Sequence, residues 1–368
     1  MTTRYVGPGG SDANNGLSWA SRKLTLNGVE DTPVVAGDIV YVAPGTYRET
    51  LTVDVSGSSG SPITYIGDYD GSHTDGVGGV VRITGSDDDQ SATRANCITA
   101  TSKDYRTFKS FRFDICSSHA INLNSTTFLI IDKCWFAPAI NGCAVTIIGS
   151  GQASNIIQDC FVWSSETTAA ILFSHTSAID NTNQLVQNCI LIGCVGGTGV
   201  LCARVGGITI KNSIILACGN GVQVQTALNS GQLMTVNNCI ISQSANAALR
   251  ATTSAEFSEN YNNLFNNLSD RNNVSTGTNS KSYAPGLDSR WFFQLVNAGA
   301  GPNSPSQVVT PFDLASYSQL INVAGTSPTS TDMRGTAVQG SQREWGALEY
   351  DSTLKIKGGG GISRARAQ

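Results

Sequence analysis

The sequence is poor in charge. Only 14% of its 368 residues are Asp, Glu, Lys or Arg, against roughly a quarter in an ordinary globular protein. A coiled coil or a helical bundle needs many more Glu, Lys and Arg, so both are excluded. An excess of basic residues is also missing. The 23 Lys and Arg face 27 Asp and Glu, for a net charge of −4, whereas a chain that binds nucleic acid throughout is normally basic. No apolar run approaches the roughly 18 to 20 residues that span a membrane as a helix. Met1-Thr2-Thr3-Arg4 leads straight into Tyr5-Val6-Gly7-Pro8-Gly9-Gly10, without the apolar stretch of a secretory leader. The expectation is a protein made and kept in the cytoplasm, one that leaves by lysis, or one whose start has been trimmed. Histidines number three, and the ten cysteines contain no Cys-x-x-Cys and no zinc-like Cys/His spacing. Disorder is excluded as well, because 40% hydrophobic content with a small net charge is enough apolar material to fold.

What the chain does have is repetition. Ile130-Ile131-Asp132-Lys133-Cys134-Trp135-Phe136 returns as Ile156-Ile157-Gln158-Asp159-Cys160-Phe161-Val162 and as Leu185-Val186-Gln187-Asn188-Cys189-Ile190-Leu191. It returns again around Ser213 and Cys239, and weakly around Ser110 and Leu264. Anchored on positions 110, 134, 160, 189, 213, 239 and 264, the steps are 24, 26, 29, 24, 26 and 25 residues. A second column, Ile98, Ile121, Val145, Ile171, Val200, Val222 and Leu249, keeps nearly the same irregular period. Each repeat holds short runs of Ile, Val, Phe and Thr between Gly, Asn and Ser, which is strand and turn chemistry. A period near 25 made of short strands predicts an all-β, single-stranded parallel β-helix, one repeat per coil. Propeller blades need about 40 residues, and the leucine-rich signature is absent.

The columns carry structural expectations. Thr107, Ile131, Ile157, Val186, Ile210, Val236 and Tyr261, three residues before each anchor, should stack in the core. So should Phe111, Trp135, Phe161, Ile190, Ile214, Ile240 and Phe265, one residue after it, although a bend at the anchor breaks the period of two. Asn188, Asn212, Asn238 and Asn263 look like an Asn ladder in a tight bend, where Asn tolerates left-handed backbone and can bond to the next rung. Cys134, Cys160, Cys189 and Cys239 share one position and read as small, reduced core residues, disulfides being the minor reading without an oxidising compartment.

Tyr5-Val6-Gly7-Pro8-Gly9-Gly10-Ser11-Asp12-Ala13-Asn14-Asn15-Gly16-Leu17-Ser18-Trp19 and Gly37-Asp38-Ile39-Val40-Tyr41-Val42-Ala43-Pro44-Gly45-Thr46-Tyr47-Arg48-Glu49 resemble the opening of right-handed parallel β-helix proteins of the pectin-lyase-like superfamily. Leu320-Ile321-Asn322, Asp332-Met333-Arg334-Gly335 and Trp345-Gly346-Ala347-Leu348-Glu349-Tyr350 resemble their end. The resemblance implies one domain: an N-terminal cap at 1–36, ten or more coils over 37–283, a Gly/Pro/Ser-rich segment that wraps back at 284–350, and a tail at 351–368. Insertions are expected at Asp68–Gly79 and Ser86–Arg94. The superfamily includes pectate lyases, polygalacturonases, epimerases, phage tailspikes and virion surface proteins, so fold alone does not give function.

Lyases of this fold use acidic residues for Ca²⁺ and an Arg or Lys base. Asp87, Asp88 and Asp89, together with Asp68, Asp70 and Asp75, are the candidates for such a site, with Arg82 and Arg94 nearby; a solvated loop is the plainer reading. Gly-His-Gly and Arg-x-Lys, which flank the Asp residues of the hydrolases, do not occur. His73, His119 and His175 read as insertion or turn residues. Asp114, Asp132 and Asp159 do not form one column, which argues against a paired-carboxylate site. Trp163 and Trp291 are weak candidates for sugar stacking. No cofactor other than Ca²⁺ is implied. Past Gly358-Gly359-Gly360-Gly361 the tail ends in Ile362-Ser363-Arg364-Ala365-Arg366-Ala367-Gln368. With Lys355, Lys357, Arg364 and Arg366 it reads as a frayed terminus, an arm for an acidic partner, or a nucleic-acid contact. The expected role is a structural virion protein of a bacteriophage, a capsid decoration or tailspike-like spike, with trimers implied by the resemblance and other capsid proteins as partners. The alternatives are a polysaccharide lyase or hydrolase, or a β-helix that binds a surface polysaccharide without turnover.

Overall fold

The computed structural model describes residues 1–283 apart from 33, 138–140, 164–167 and 180–181. Short strands rich in Ile, Val and Thr line up in three parallel sheets of ten, nine and nine strands. The first sheet opens with Thr3–Val6, Ile39–Val42 and Ile63–Gly67, the second with Gly45–Tyr47 and Val81–Thr84, and the third with Leu51–Val53 and Asn96–Thr101. The chain visits the sheets in that order once per coil. The result is a β-solenoid of about nine coils, fewer than the ten or more predicted. The insertions at 68–79 and 86–94 explain the difference, because they stretch the coil from Tyr65 to its register partner Phe108 to 43 residues.

The second column is in register throughout. Ile98 pairs with Ile121, Ile121 with Val145, Val145 with Ile171, Ile171 with Val200, Val200 with Val222, and Val222 with Leu249. All seven are fully buried. In-register parallel strands put like upon like about every 4.8 Å, so one sequence period becomes one apolar stack.

Between the first and second sheets seven successive coils, from the one that holds Arg106–Lys109 onward, each turn through one left-handed residue. These are Ser110, Lys133, Asp159, Asn188, Asn212, Asn238 and Tyr261, with φ from 50° to 63°. The amide of Asn188 donates to Asp159 Oδ1 at 3.0 Å, and that of Asn238 to Asn212 Oδ1 at 3.3 Å. Asn263 is a correction. The bend of its coil falls on Tyr261, and Asn263 pairs with Ile240 in the second sheet. The outermost repeats are displaced. Phe108 rather than Thr107 lies opposite Ile131, and Glu259 rather than Tyr261 lies opposite Val236. Neither copy has a cysteine at its anchor. In the last one Asn262 is buried instead, with its amide donating to the Val236 carbonyl at 2.7 Å.

The residue just past the cysteine is a second correction. Phe113, Phe136, Val162, Leu191, Ile215 and Ile241 join the interior cluster, whereas Trp135, Phe161, Ile190, Ile214 and Ile240, each one residue earlier, do not. The left-handed bend followed by an inward cysteine shifts the alternation, and these residues lie on the outer side of the second sheet.

Cys134, Cys160, Cys189 and Cys239 turn inward and are at most 1% exposed. All ten cysteines are buried and none is bridged. Burial pushes the Cys239 thiol up to about 12, so the reactive thiolate is scarce. Alkylation of Cys134, Cys160 and Cys189 in the native protein is expected to be slow, and denaturant should release it. Rapid native labelling of all three, read by mass spectrometry, would contradict the placement.

Both ends are fastened by buried carboxylates. At the start, the helix Leu26–Asp31 is capped by Thr25, whose hydroxyl accepts from the Gly28 amide at 2.9 Å. Its Glu30 takes both arms of Arg106 at 2.9 and 2.8 Å and the Tyr65 hydroxyl at 2.6 Å. At the last coil, Glu259 accepts from Arg271 at 2.7 Å, the Gly277 amide at 2.6 Å and the Asn262 amide at 2.9 Å. Burial alone would raise the Glu259 pKa, but these bonds and that from Ser280 leave it below the usual glutamate value. A depressed carboxylate stabilises the fold above its unfolded pKa, and that stability fades as pH falls through the folded value. Hydrogen exchange over 263–283 should therefore quicken below about pH 4, before the middle coils respond. An unchanged order of exchange would refute this fastening.

Candidate functional site

The residue after each member of the second column lies on the other side of the third sheet from the core; Thr146 and Leu201 are buried there, and the others are at least partly exposed. Thr52, Thr99, Asn122, Thr146, Leu172, Leu201, Gln223 and Arg250 follow one another in register. The run is polar at both ends and apolar in the middle, where Leu172 and Leu201 meet Cys143 and Ala169. At its upper end the Thr146 hydroxyl donates to Asn122 Oδ1 at 3.2 Å. At its lower end Gln223 Oε1 accepts from the Thr198 hydroxyl at 3.1 Å and from the Asn220 amide at 3.0 Å. Asn220 Oδ1 is buried without a partner.

His119 stands beside this lane, in register with Asn96. Its main-chain N–H donates to Asn96 Oδ1 at 3.2 Å, and its ring Nδ1 accepts from the Cys143 amide at 3.1 Å. The ring can lie there because residue 142 is glycine; a Cβ would come within 2.9 Å of Nδ1. Burial lowers the His119 pKa, so the ring is neutral at pH 7. With Nδ1 accepting, Nε2 carries the proton and is a donor. Hydroxyls, amides and one neutral imidazole make a surface of paired donors and acceptors. Among the described residues the column from Thr52 to Arg250 carries no carboxylate.

The insertion at 86–94 precedes the strand Asn96–Thr101. Asp87 pairs with Arg94 at 2.7 Å. Asp88 accepts the Gln90 and Ser91 amides of its own turn at 2.9 Å each. Asp89 lies between Arg48 at 2.7 Å and Arg82 at 2.6 Å, whose hydrogen bonds pull its pKa to about 2. The three carboxylates thus serve three different sets of partners and do not form the converging oxygen shell that Ca²⁺ requires. Among the described residues no three His, Cys, Asp or Glu side chains are grouped to hold a metal ion.

The other candidates are dispersed. Asp114 is buried between Arg82 and Arg112 at 2.8 and 3.2 Å, Asp132 pairs with Lys109 at 3.2 Å, and Asp159 takes the Asn188 amide. Asp68 accepts the His73 amide and the Thr74 hydroxyl of its own loop, and Asp70 and Asp75 accept the Ser72 and Val77 amides. His73 stacks on Tyr41 at 4.1 Å, and His175, expected in a turn, lies in the strand Ala169–Ile179 where its register with the next coil shifts, its Nδ1 accepting from the Ser177 amide at 3.0 Å. Trp163 is partly exposed on the second sheet. Trp291, Lys355, Lys357, Arg364, Arg366 and the segments 284–350 and 351–368 lie outside the described residues.

Sequence reasoning missed the lane, though its signal was present. Thr99, Asn122 and Thr146 each directly follow a member of the apolar column. The Arg48–Asp89–Arg82–Asp114 chain had no such signal, because its partners lie up to 41 residues apart.

Comparison with known protein families finds no match. A segment of 61 residues, 17% of the chain, is 41% identical to part of the uncharacterized protein YwoF of Bacillus subtilis strain 168, and it spans 13% of that protein. Solved structures are similar over most of their length. The pectate lyase Pel9A matches with a TM-score of 0.52 at 17% identity, over 95% of this chain and 97% of that one. A rhamnogalacturonan lyase matches with 0.54 at 15% identity, over 82% and 94%. XylC in complex with xylose matches with 0.51 at 11% identity, over 95% and 99%. At these identities the likeness is one of fold. With three parallel sheets wound one coil upon the next, the chain has a parallel β-helix fold similar to that of these solved structures.

Proposed function

We propose that the chain binds a polysaccharide along the outer face of the third sheet. The carrying observation is the pair of outward rungs Thr99 and Asn122, held from below by the buried Thr146, beside a neutral, half-buried His119. Sugar hydroxyls are both donors and acceptors, and this lane offers both at about 4.8 Å intervals along the axis. The apolar stretch at Leu172 and Leu201 suits the less polar face of a pyranose ring. Similarity to pectate lyase and rhamnogalacturonan lyase folds supports a polysaccharide as the ligand class. Binding is favoured over hydrolysis, because hydrolases of sugars work with a carboxylate pair and the lane holds none; lyase cleavage is the second reading, supported by the lyase folds. A virion role, expected from the sequence, gains no support from the fold or the comparisons.

The test is titration of the full chain against a panel of acidic and neutral polysaccharides. Asn122→Ala and His119→Ala should each weaken binding at least about tenfold, the loss of one or two hydrogen bonds. Thr209→Ala, on the first sheet, should leave it unchanged. Absorbance of unsaturated uronate in the same samples reads any lyase activity. Binding that ignores both lane variants, or no binding across the panel, would overturn the proposal.

A further inference from the structure

Where the chain leaves the third sheet for the first, five successive coils hold left-handed backbone at the same place. The residues are Tyr105, Phe128, Ser154, Asn183 and Gly207, with φ of 55°, 56°, 54°, 49° and 75°. Each lies two positions before Thr107, Ile130, Ile156, Leu185 and Thr209, which pair in register from coil to coil. Asn and Gly take this backbone readily, and Ser is small. Tyr and Phe are outliers there, because a bulky side chain crowds the left-handed conformation. The bend itself gives no reason for a ring at these two rungs, so the reason lies in what the rings face.

The two rings stack in parallel, with centroids 4.6 Å apart and 4° between their planes. Tyr105 covers one face of Phe128. The other face is turned toward the next rung, where the register position holds only Ser154. A Cβ added at Gly151, three residues before Ser154, would meet nothing within 4 Å, so the space beside that rung is open. Phe128 is 43% exposed, although Leu129 directly after it is fully buried. The same two coils supply the outward rungs of the polar lane. Thr99 lies on the strand Asn96–Thr101 that leads to Tyr105, and Asn122 on the strand His119–Asn124 that leads to Phe128. Six residues separate Asn122 from Phe128, at most about 20 Å of chain. Donors and acceptors and a flat apolar ring therefore follow one another along a single rung.

We propose that Phe128, backed by Tyr105, is a stacking platform for one pyranose ring of the polysaccharide, which lies on the Phe128 face turned toward Ser154. A pyranose presents C–H groups on its less polar face, and the negative face of an aromatic ring attracts their hydrogens. The inference rests on the polysaccharide reading of the third sheet and adds a ring-selective contact to its hydrogen bonds.

Soluble polygalacturonate, rhamnogalacturonan and xylan are the probes, titrated against the full-length chain by calorimetry. Phe128→Asn puts at this bend the residue that the chain itself uses at Asn183, so thermal unfolding should be unchanged. Binding should weaken about tenfold, the loss of one apolar contact, and Phe128→Tyr should keep it. Sugar C–H proton resonances of a short oligomer of the bound glycan should move upfield in the parent protein and not in Phe128→Asn. Binding that falls with Asn122→Ala or His119→Ala but is untouched by Phe128→Asn would overturn the platform and leave the lane standing. Weaker binding by Phe128→Asn that comes only with a lowered unfolding temperature would overturn it too, since the ring would then merely support the bend. No binding of any of the three glycans by the parent protein would overturn both readings.

Discussion

Glu30→Ala is expected to lower stability by about 3–5 kcal/mol, the usual loss when one partner of a buried ion pair is removed. Arg106 and Glu30 are both closed to solvent at their side chains, 2.8 Å apart. Arg106 also donates through Nε to the Val55 carbonyl at 2.6 Å, and Glu30 accepts the Asp54 amide at 3.1 Å. Without Glu30 the guanidinium is left buried with only part of its bonds. The cap helix would then lose its hold on coils that lie 76 residues away in sequence. Arg106→Ala should cost a similar amount, and the double variant clearly less than the sum, because each single change strands the other charge. Tyr65→Phe removes one bond to a charged acceptor and should cost about 1.5–3 kcal/mol. Urea denaturation gives the totals. Hydrogen exchange over 26–65 shows whether the N-terminal coils open first, since a repeat array need not unfold all at once. A Glu30→Ala protein within 1 kcal/mol of the parent would show that the pair is not the fastening described.

Phe136→Ala should have a comparable effect by another route. Phe136 is fully buried and stacks on Phe113 with ring centroids 5.1 Å apart. Deleting the ring removes its transfer free energy and leaves a cavity between two rungs, together about 3–5 kcal/mol. Ile131→Val, one methylene in the adjoining stack, should cost only about 0.5–1.5 kcal/mol. Each rung touches the ones above and below it, so the damage should stay local. Loss of exchange protection is expected over 106–163, with little change over 220–260. Equal loss along the whole rod would show tighter coupling between coils than nearest-neighbour packing supplies.

The interior of the rod was readable from the sequence because parallel, in-register stacking turns one chemical preference into a column at nearly constant spacing. Ile98 through Leu249 is such a column, and every predicted rung pairs as written. The reading failed where that logic stops. Past the left-handed bend the period of two is interrupted, so Trp135 and Phe136 exchanged places between outer face and core. At the ends the repeats lose their cysteine, and the pattern slipped by one residue at Phe108 and by two at Tyr261. Glu30 and Arg106, or Arg48 and Asp89, meet across loops whose lengths follow no period, and nothing local announces them. The polar lane lay between these cases. Thr99, Asn122 and Thr146 keep a fixed offset from the apolar column, but a polar residue next to a core position usually marks only a solvated face.

Asn188, Asn212 and Asn238 occupy the same bend with the same handedness, so the stretch from one to the next is one complete turn of the rod. Duplicating or deleting such a stretch by recombination would change the molecule by one rung, about 4.8 Å. Both fastened ends would be carried along unaltered. Length is thus a trait that descendants of this gene can adjust in whole steps, independently of what either terminus does.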